Sequence, residues 1–140
     1  MRIEESLQKS VVLLKPSSES PVLDAEILLS EVLQKPKSFL LAHPEYLLST
    51  GEKKKYGIFL QKRLQGFSIA VILGYWEFYG RPFFVDGNVL IPRPETELLA
   101  QELIPFLKTG GTLVDVGIGS GCIALTLGFE SSPDRLIGLD

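Results

Sequence analysis

Cysteine is almost missing from this 140-residue chain. Cys122 stands alone, which excludes an internal disulfide and a multi-cysteine metal site. His43 is the one histidine. It precedes Pro44 with no Cys, Asp or second His beside it, so we read it as a turn residue and expect no bound metal. Long apolar runs are absent too. Stretches such as Val11–Leu14 fall far short of the roughly 20 residues of a membrane span. The start, Met1-Arg2-Ile3-Glu4-Glu5, has no apolar segment with a small-residue cleavage site, so the expectation is no signal peptide and a cytoplasmic location. A basic excess is also lacking: 14 Lys and Arg stand against 17 Asp and Glu, for a net charge of -3. That balance argues against direct nucleic-acid binding by the protein as a whole.

What is present is the balance of a globular protein, with 45% apolar and 22% charged residues. The length admits one domain, or one small domain and part of another. Charge divides unevenly. Residues 1–75 hold ten basic and eight acidic side chains, and residues 76–140 hold four and nine.

The first part reads helical. Ile3, Leu7, Val11 and Leu14 form one stripe of a first helix, ended at Lys15-Pro16. Ser20-Pro21 offers an N-cap and a first-turn proline for a second helix with Ala25, Leu28, Leu29 and Val32 inward, stopped by Pro36. A short piece spans Ser38–Ala42. Ser49 and Glu52 have capping-box spacing ahead of a helix with Tyr56, Phe59, Leu60 and Leu64 on one face and Gly66 as its stop. Residues 68–74 fit a short helix or a strand equally. Trp76, Phe78, Phe83, Phe84 and Val85 favour strand, broken at Gly80-Arg81-Pro82, with a second turn at Asp86-Gly87 before Val89–Ile91. This predicts a small antiparallel hairpin, with its aromatic residues packing into the core. Pro94–Lys108 reads as a helix, kinked near its end by Pro105, with Glu95 and Glu97 in its first turn where the dipole favours carboxylates. Then come a buried parallel-type strand, Thr112–Val116, a glycine loop, a helix from Cys122 to Phe129, and a strand, Arg135–Leu139, ending on Asp140. The fold class expected is a small all-α domain over 1–74, a β-hairpin linker over 75–93, and over 94–140 the start of a doubly wound, Rossmann-like α/β domain cut after its second strand.

The glycine loop carries the chemistry. Asp115-Val116-Gly117-Ile118-Gly119-Ser120-Gly121 follows a strand and opens a helix, where backbone N–H groups can meet a ligand. Gly117 and Gly119 satisfy a dinucleotide fingerprint, but its third glycine position falls on Cys122. The pattern is instead D-x-G-x-G-x-G. It suits S-adenosylmethionine, which lacks a pyrophosphate and carries an α-ammonium group that Asp115 can hold. Asp140, 19 residues past Gly121, has the position of the acid that accepts both ribose hydroxyls.

Leu90-Ile91-Pro92-Arg93-Pro94-Glu95-Thr96-Glu97, together with Val114–Leu125, Ile72-Leu73-Gly74 and Glu77-Phe78-Tyr79, resembles the glutamine methyltransferases of peptide-chain release factors (the HemK/PrmC family). The resemblance runs over nearly the whole chain. It implies a class I methyltransferase that moves a methyl group from S-adenosylmethionine to the side-chain amide of the glutamine in the Gly-Gly-Gln loop of class 1 release factors. It also implies a helical domain that recognises the release factor. By motif position Gly117, Ile118, Gly119, Ser120 and Gly121 form the cofactor loop, Asp140 binds the ribose, and Arg93, Glu95 and Thr96 lie at the mouth of the site. The family's Asn-Pro-Pro-Tyr substrate motif is absent, and Asn88 is the only asparagine. The expectation is therefore an N-terminal half with no catalytic residue of its own and no activity alone. Two other classes stay open: a non-catalytic helical module that binds release factor or ribosome, and a nucleotide-dependent oxidoreductase.

Three further features carry plain readings beside functional ones. Lys53, Lys54, Lys55, Lys62 and Arg63 form either a solvated face or a partner contact. Cys122 at a helix start is a packing residue or an activated thiol. The strand edge at 135–140 is expected to favour self-association or disorder.

Overall fold

The computed structural model describes residues 1–107 and 110–140. Lys108, expected to close a helix, lies outside the described residues. The chain divides into two compact units, Met1–Leu73 and Gly74–Asp140.

The first unit is all helix: α1 (Ile3–Leu14), α2 (Pro21–Leu33), α3 (Lys37–Ala42), α4 (Thr50–Leu64) and α5 (Ile69–Leu73). The ambiguous stretch at 68–74 is thus helical. The first amides of α1 have no partner within the helix. Ile3 N–H and Glu4 N–H donate instead to the Tyr46 and Pro44 carbonyls at 3.0 and 3.1 Å, which ties the chain start to the segment before α4. Ser20 precedes α2, but its side chain makes no capping bond. Ser18 Oγ does the local work, accepting from Ser20 N–H and donating to Asp24 at 2.7 Å. At α4 the capping box forms as expected: Ser49 Oγ accepts from Glu52 N–H and the Glu52 carboxylate accepts from Ser49 N–H. These bonds hold the Glu52 carboxyl below its usual range, the backbone donor at Ser49 contributing most. Just past α4, Gly66, with φ +92°, closes a turn in which Phe67 N–H reaches back to the Lys62 carbonyl. Ile3, Leu14, Leu28, Leu29, Leu40, Leu48, Tyr56 and Ile72 meet in one core.

The second unit opens with a hairpin of β1 (Tyr75–Phe78) and β2 (Arg81–Phe84). Its turn is Tyr79-Gly80, with φ +52° and +70°, the pairing of two positive φ values that matches strand twist. The break expected at Gly80-Arg81-Pro82 therefore falls one residue early, and Arg81 and Pro82 belong to β2. Pro82 is tolerated because each strand here has a free edge. Phe78 and Phe83 are buried edge to face, 6.1 Å apart. Phe84, expected in the core, points outward and is 75% exposed. Val89–Ile91 forms no strand.

α6 spans Glu95–Leu103 and tightens to a 3-10 turn at Ile104–Phe106, where Pro105 cannot continue the α-helical ladder. β3 (Thr112–Val116), α7 (Cys122–Ser131) and β4 (Arg135–Leu139) follow. β3 and β4 pair in parallel, Thr112 opposite Arg135 and Val116 opposite Leu139. This is the βαβ opening of a Rossmann-like fold. β3 was expected to be buried. Val114 is instead half exposed and Val116 79% exposed. Phe78, Phe83, Ala100, Cys122 and Leu127 form this unit's core. Cys122 is therefore a buried packing residue.

Candidate cofactor site

The parallel pairing places the C-terminal ends of β3 and β4 at one edge. Asp115 is the penultimate residue of β3 and Asp140 directly follows β4. Asp115 is partly buried and Asp140 exposed. Between them runs the loop Gly117–Gly121, whose three glycines have φ of +80°, +52° and +75°. A Cβ at Gly117 or Gly119 would meet no atom within 4 Å. Conformation demands glycine at both positions, and the space above them is open to a ligand. Gly121 shares the left-handed φ that favours glycine, but a Cβ there would touch Leu125 Cδ1 at 3.4 Å, an ordinary contact, so the space beside it is filled by α7 rather than open.

The loop spends part of its backbone internally. Gly117 N–H and Ile118 N–H both donate to the Leu139 carbonyl, at 2.7 and 3.0 Å, and Gly121 N–H donates to the Ile118 carbonyl at 2.8 Å. Among the described residues, the amides of Gly119 and Ser120 are left without a protein acceptor. These two residues line a hollow of about 470 Å³ with Arg81, Pro82, Phe83, Phe84 and Phe129, a size in the range of small-molecule sites.

Ile118 acts through its side chain. A Cβ built on Gly138 would fall 2.0 Å from Ile118 Cδ1. Gly138, opposite Asp115 in the register, is thus the notch into which Ile118 drops. The sequence reading missed Gly138. The available signal was a glycine inside a strand, which marks a close approach.

Arg93, Glu95 and Thr96 sit at the start of α6. Arg93 and Glu95 are exposed and Thr96 is partly buried. Their side chains make no hydrogen bond or ion pair among the described residues, although the Arg93 carbonyl accepts from Thr96 N–H at 3.0 Å. Glu97, in the same first turn of α6, is engaged: its Oε1 accepts from Tyr79 N–H at 3.0 Å. Of the basic stretch on α4, Lys53, Lys54, Lys55 and Lys62 are exposed. Arg63 does not belong with them, because its Nε meets Asp24 Oδ2 at 2.7 Å. His43 ends α3 and lies against Phe39, with ring centroids 4.4 Å apart. Among the described residues no cluster of three or more His, Cys, Asp or Glu could hold a metal ion, and no helix is long and apolar enough to cross a membrane.

Residues 5–74 match the family model of the PrmC N-terminal domain. Over 142 aligned residues the chain is 39% identical to a release factor glutamine methyltransferase of Aliivibrio fischeri, covering all of this chain and 50% of that protein. A relative of the same name from Shewanella oneidensis is 40% identical, with 99% and 49% covered, and one from Clostridium botulinum is 37% identical, with 92% and 46% covered. The chain spans about half the length of the curated relatives it matches. With the helical unit matched by the family model and the glycine-loop unit aligned to the same relatives, the chain belongs to the PrmC family of release factor glutamine methyltransferases.

Proposed function

We propose that this chain supplies the recognition domain and the cofactor corner of an S-adenosylmethionine-dependent methyltransferase acting on the Gly-Gly-Gln glutamine of class 1 release factors. Three parts divide the work. The helical part, 1–74, contacts the release factor. The hairpin segment, 75–93, links it to the α/β part, 94–140, which holds the cofactor. The observation that carries this reading is the loop. Gly117 and Gly119 leave open space, Gly119 and Ser120 have amides to donate, and carboxylates stand at both strand ends.

When bound, S-adenosylmethionine supplies an electrophilic methyl group on a sulfonium. Asp115 would hold its α-ammonium group, the amides of Gly119 and Ser120 would be the donors for its carboxylate, and Asp140 would accept from the ribose hydroxyls. Gly117, Ile118 and Gly121 keep the loop in shape, and Arg93, Glu95 and Thr96 border the entrance. An amide nitrogen is a poor nucleophile, because its lone pair is delocalised. Transfer then depends on orientation and on hydrogen bonds that steady the developing charge. The Asn-Pro-Pro-Tyr motif that would orient the glutamine is not in this chain, and we assign no catalytic residue to it.

Calorimetry with S-adenosylhomocysteine tests the cofactor reading. Binding should be measurable and should fall at least tenfold in Asp115→Ala and in Asp140→Ala. Tight binding of NAD in its place would select the oxidoreductase reading. A turnover assay with release factor and labelled S-adenosylmethionine should show no transfer by the 140-residue chain, and clear transfer would overturn that part. Co-elution with release factor, combined with no cofactor binding, would leave the helical binding module as the function.

A further inference from the structure

The hairpin turn holds a residue that its sequence does not favour. Tyr79 has φ +52°, a left-handed conformation that asparagine or glycine enters far more readily at this position of a two-residue turn. Its amide is bonded from α6. Tyr79 N–H donates to Glu97 Oε1 at 3.0 Å, across 18 residues of sequence, and the acceptor is a carboxylate, which makes the bond charge-assisted. A second tether lies on the other side. Arg81 Nη2 meets Glu130 Oε1 at 2.8 Å, and its guanidinium lies 5.2 Å from the centre of the Phe129 ring. Both tethers act at the turn and at the first residue of β2, and the strand runs on from them, with Pro82, Phe83 and Phe84 lining the same hollow as Gly119 and Ser120.

We propose that Glu97 is a positioning residue: by holding the Tyr79 amide it fixes the hairpin turn and sets β2 as the wall of the hollow that faces the glycine loop. The inference rests on the reading of that loop as the S-adenosylmethionine site. Glu97 itself contacts no ligand and acts through Tyr79.

The rival explanation is a carboxylate that only favours the positive end of α6. Three substitutions in the full 140-residue chain separate the two. Glu97→Ala should speed hydrogen exchange at the Tyr79 amide about tenfold, the scale of one lost hydrogen bond. It should also displace the amide resonances of Gly119 and Ser120 and weaken S-adenosylhomocysteine binding several-fold. Glu97→Gln keeps an oxygen acceptor without the charge and should restore all three readouts toward wild type. Glu97→Asp keeps the charge, shortens the reach and should behave like the alanine variant, and it replaces that variant if the latter does not fold. Glutamine matching alanine would overturn the proposal in favour of the dipole. Faster exchange at Tyr79 with Gly119 and Ser120 unmoved would overturn it as well. Failure of the wild-type chain to bind S-adenosylhomocysteine would instead reject the cofactor reading, while exchange and resonance positions still decide whether Glu97 fixes the hairpin.

Discussion

The helical unit and the glycine-loop unit solve the burial problem to different degrees. In the first, five helices turn their apolar faces onto one another, and Ile3, Leu14, Leu28 and Leu29 are fully buried. Polar groups drawn inside are matched: Asp24 meets Arg63 and Ser18, Ser10 donates to the Ser6 carbonyl, and Tyr56 donates to the Ala25 carbonyl. In the second, Val116 of β3 and Phe129 of α7 lie largely in solvent, and Thr126 Oγ1 is buried with no hydrogen-bond partner among the described residues. Helices of modest length can cover each other, whereas a parallel sheet has two faces and two edges to cover. The unit that holds the candidate cofactor loop is therefore the less self-sufficient of the two. Its core rests on a few residues gathered around Phe78 and Phe83.

The largest expected effect tests that contrast directly. Leu28→Ala removes a fully buried side chain and should cost about 2–5 kcal/mol, whereas Val116→Ala, at an exposed position, should stay within about 0.5 kcal/mol. Urea unfolding measures both. Residue-resolved hydrogen exchange then asks where the Leu28 loss is felt. Protection should fall across Met1–Leu73 and hold across Gly74–Asp140. An equal fall in both would mean that the two units unfold as one body and would break the comparison.

Next in size is the internal ion pair. Asp24 is buried on α2, and Arg63 of α4 reaches it while also donating to the Phe67 carbonyl at 3.2 Å. Arg63→Met should destabilise by about 3 kcal/mol, the lower end for a broken buried pair because Arg63 keeps some solvent contact, since a buried carboxylate loses its cation. Adding Asp24→Asn should recover part of the loss by removing the stranded charge. Equal stability of the single and double variants would show that Asp24 is already well solvated, and the helical unit would then be less closed than its burial indicates.

Local chemistry was legible in the sequence and distant chemistry was not. The Ser49–Glu52 box joins residues three apart, and proline and glycine punctuation marked the helix ends closely. The loop Gly117–Gly121 and the run Ile91–Glu97 were legible as motifs because their residues are contiguous. The Arg63–Asp24 pair spans 39 residues, so Arg63 read as one more surface cation. Glu97 read as a helix-dipole carboxylate because its partner, a backbone amide, has no signature in sequence. Gly138 was passed over because the Ile118 side chain that occupies its missing Cβ comes from another strand–loop junction. The misplaced hairpin turn shows the same limit in a strand. Shifting a turn by one residue exchanges faces, and Phe84 rather than its neighbour then lies outside.

The smallest expected effect concerns Tyr56. Its phenol is buried, and burial pushes its pKa from 10.0 up to about 12. The folded state therefore keeps a proton that the unfolded chain releases near pH 10. The sign follows from linkage: this group's contribution is fully present below pH 10 and is lost as the pH rises from 10 toward 12. Urea unfolding across that window should show stability falling with pH, and residue-resolved exchange should assign the fall to Met1–Leu73. Tyr56→Phe should cost about 1 kcal/mol at pH 7, where the Ala25 carbonyl loses its donor at 3.1 Å. The same variant should flatten the decline above pH 10. Were the decline to persist unchanged in Tyr56→Phe, the alkaline weakness would belong to another group, and the closed core of the helical unit would not be the cause of its pH limit.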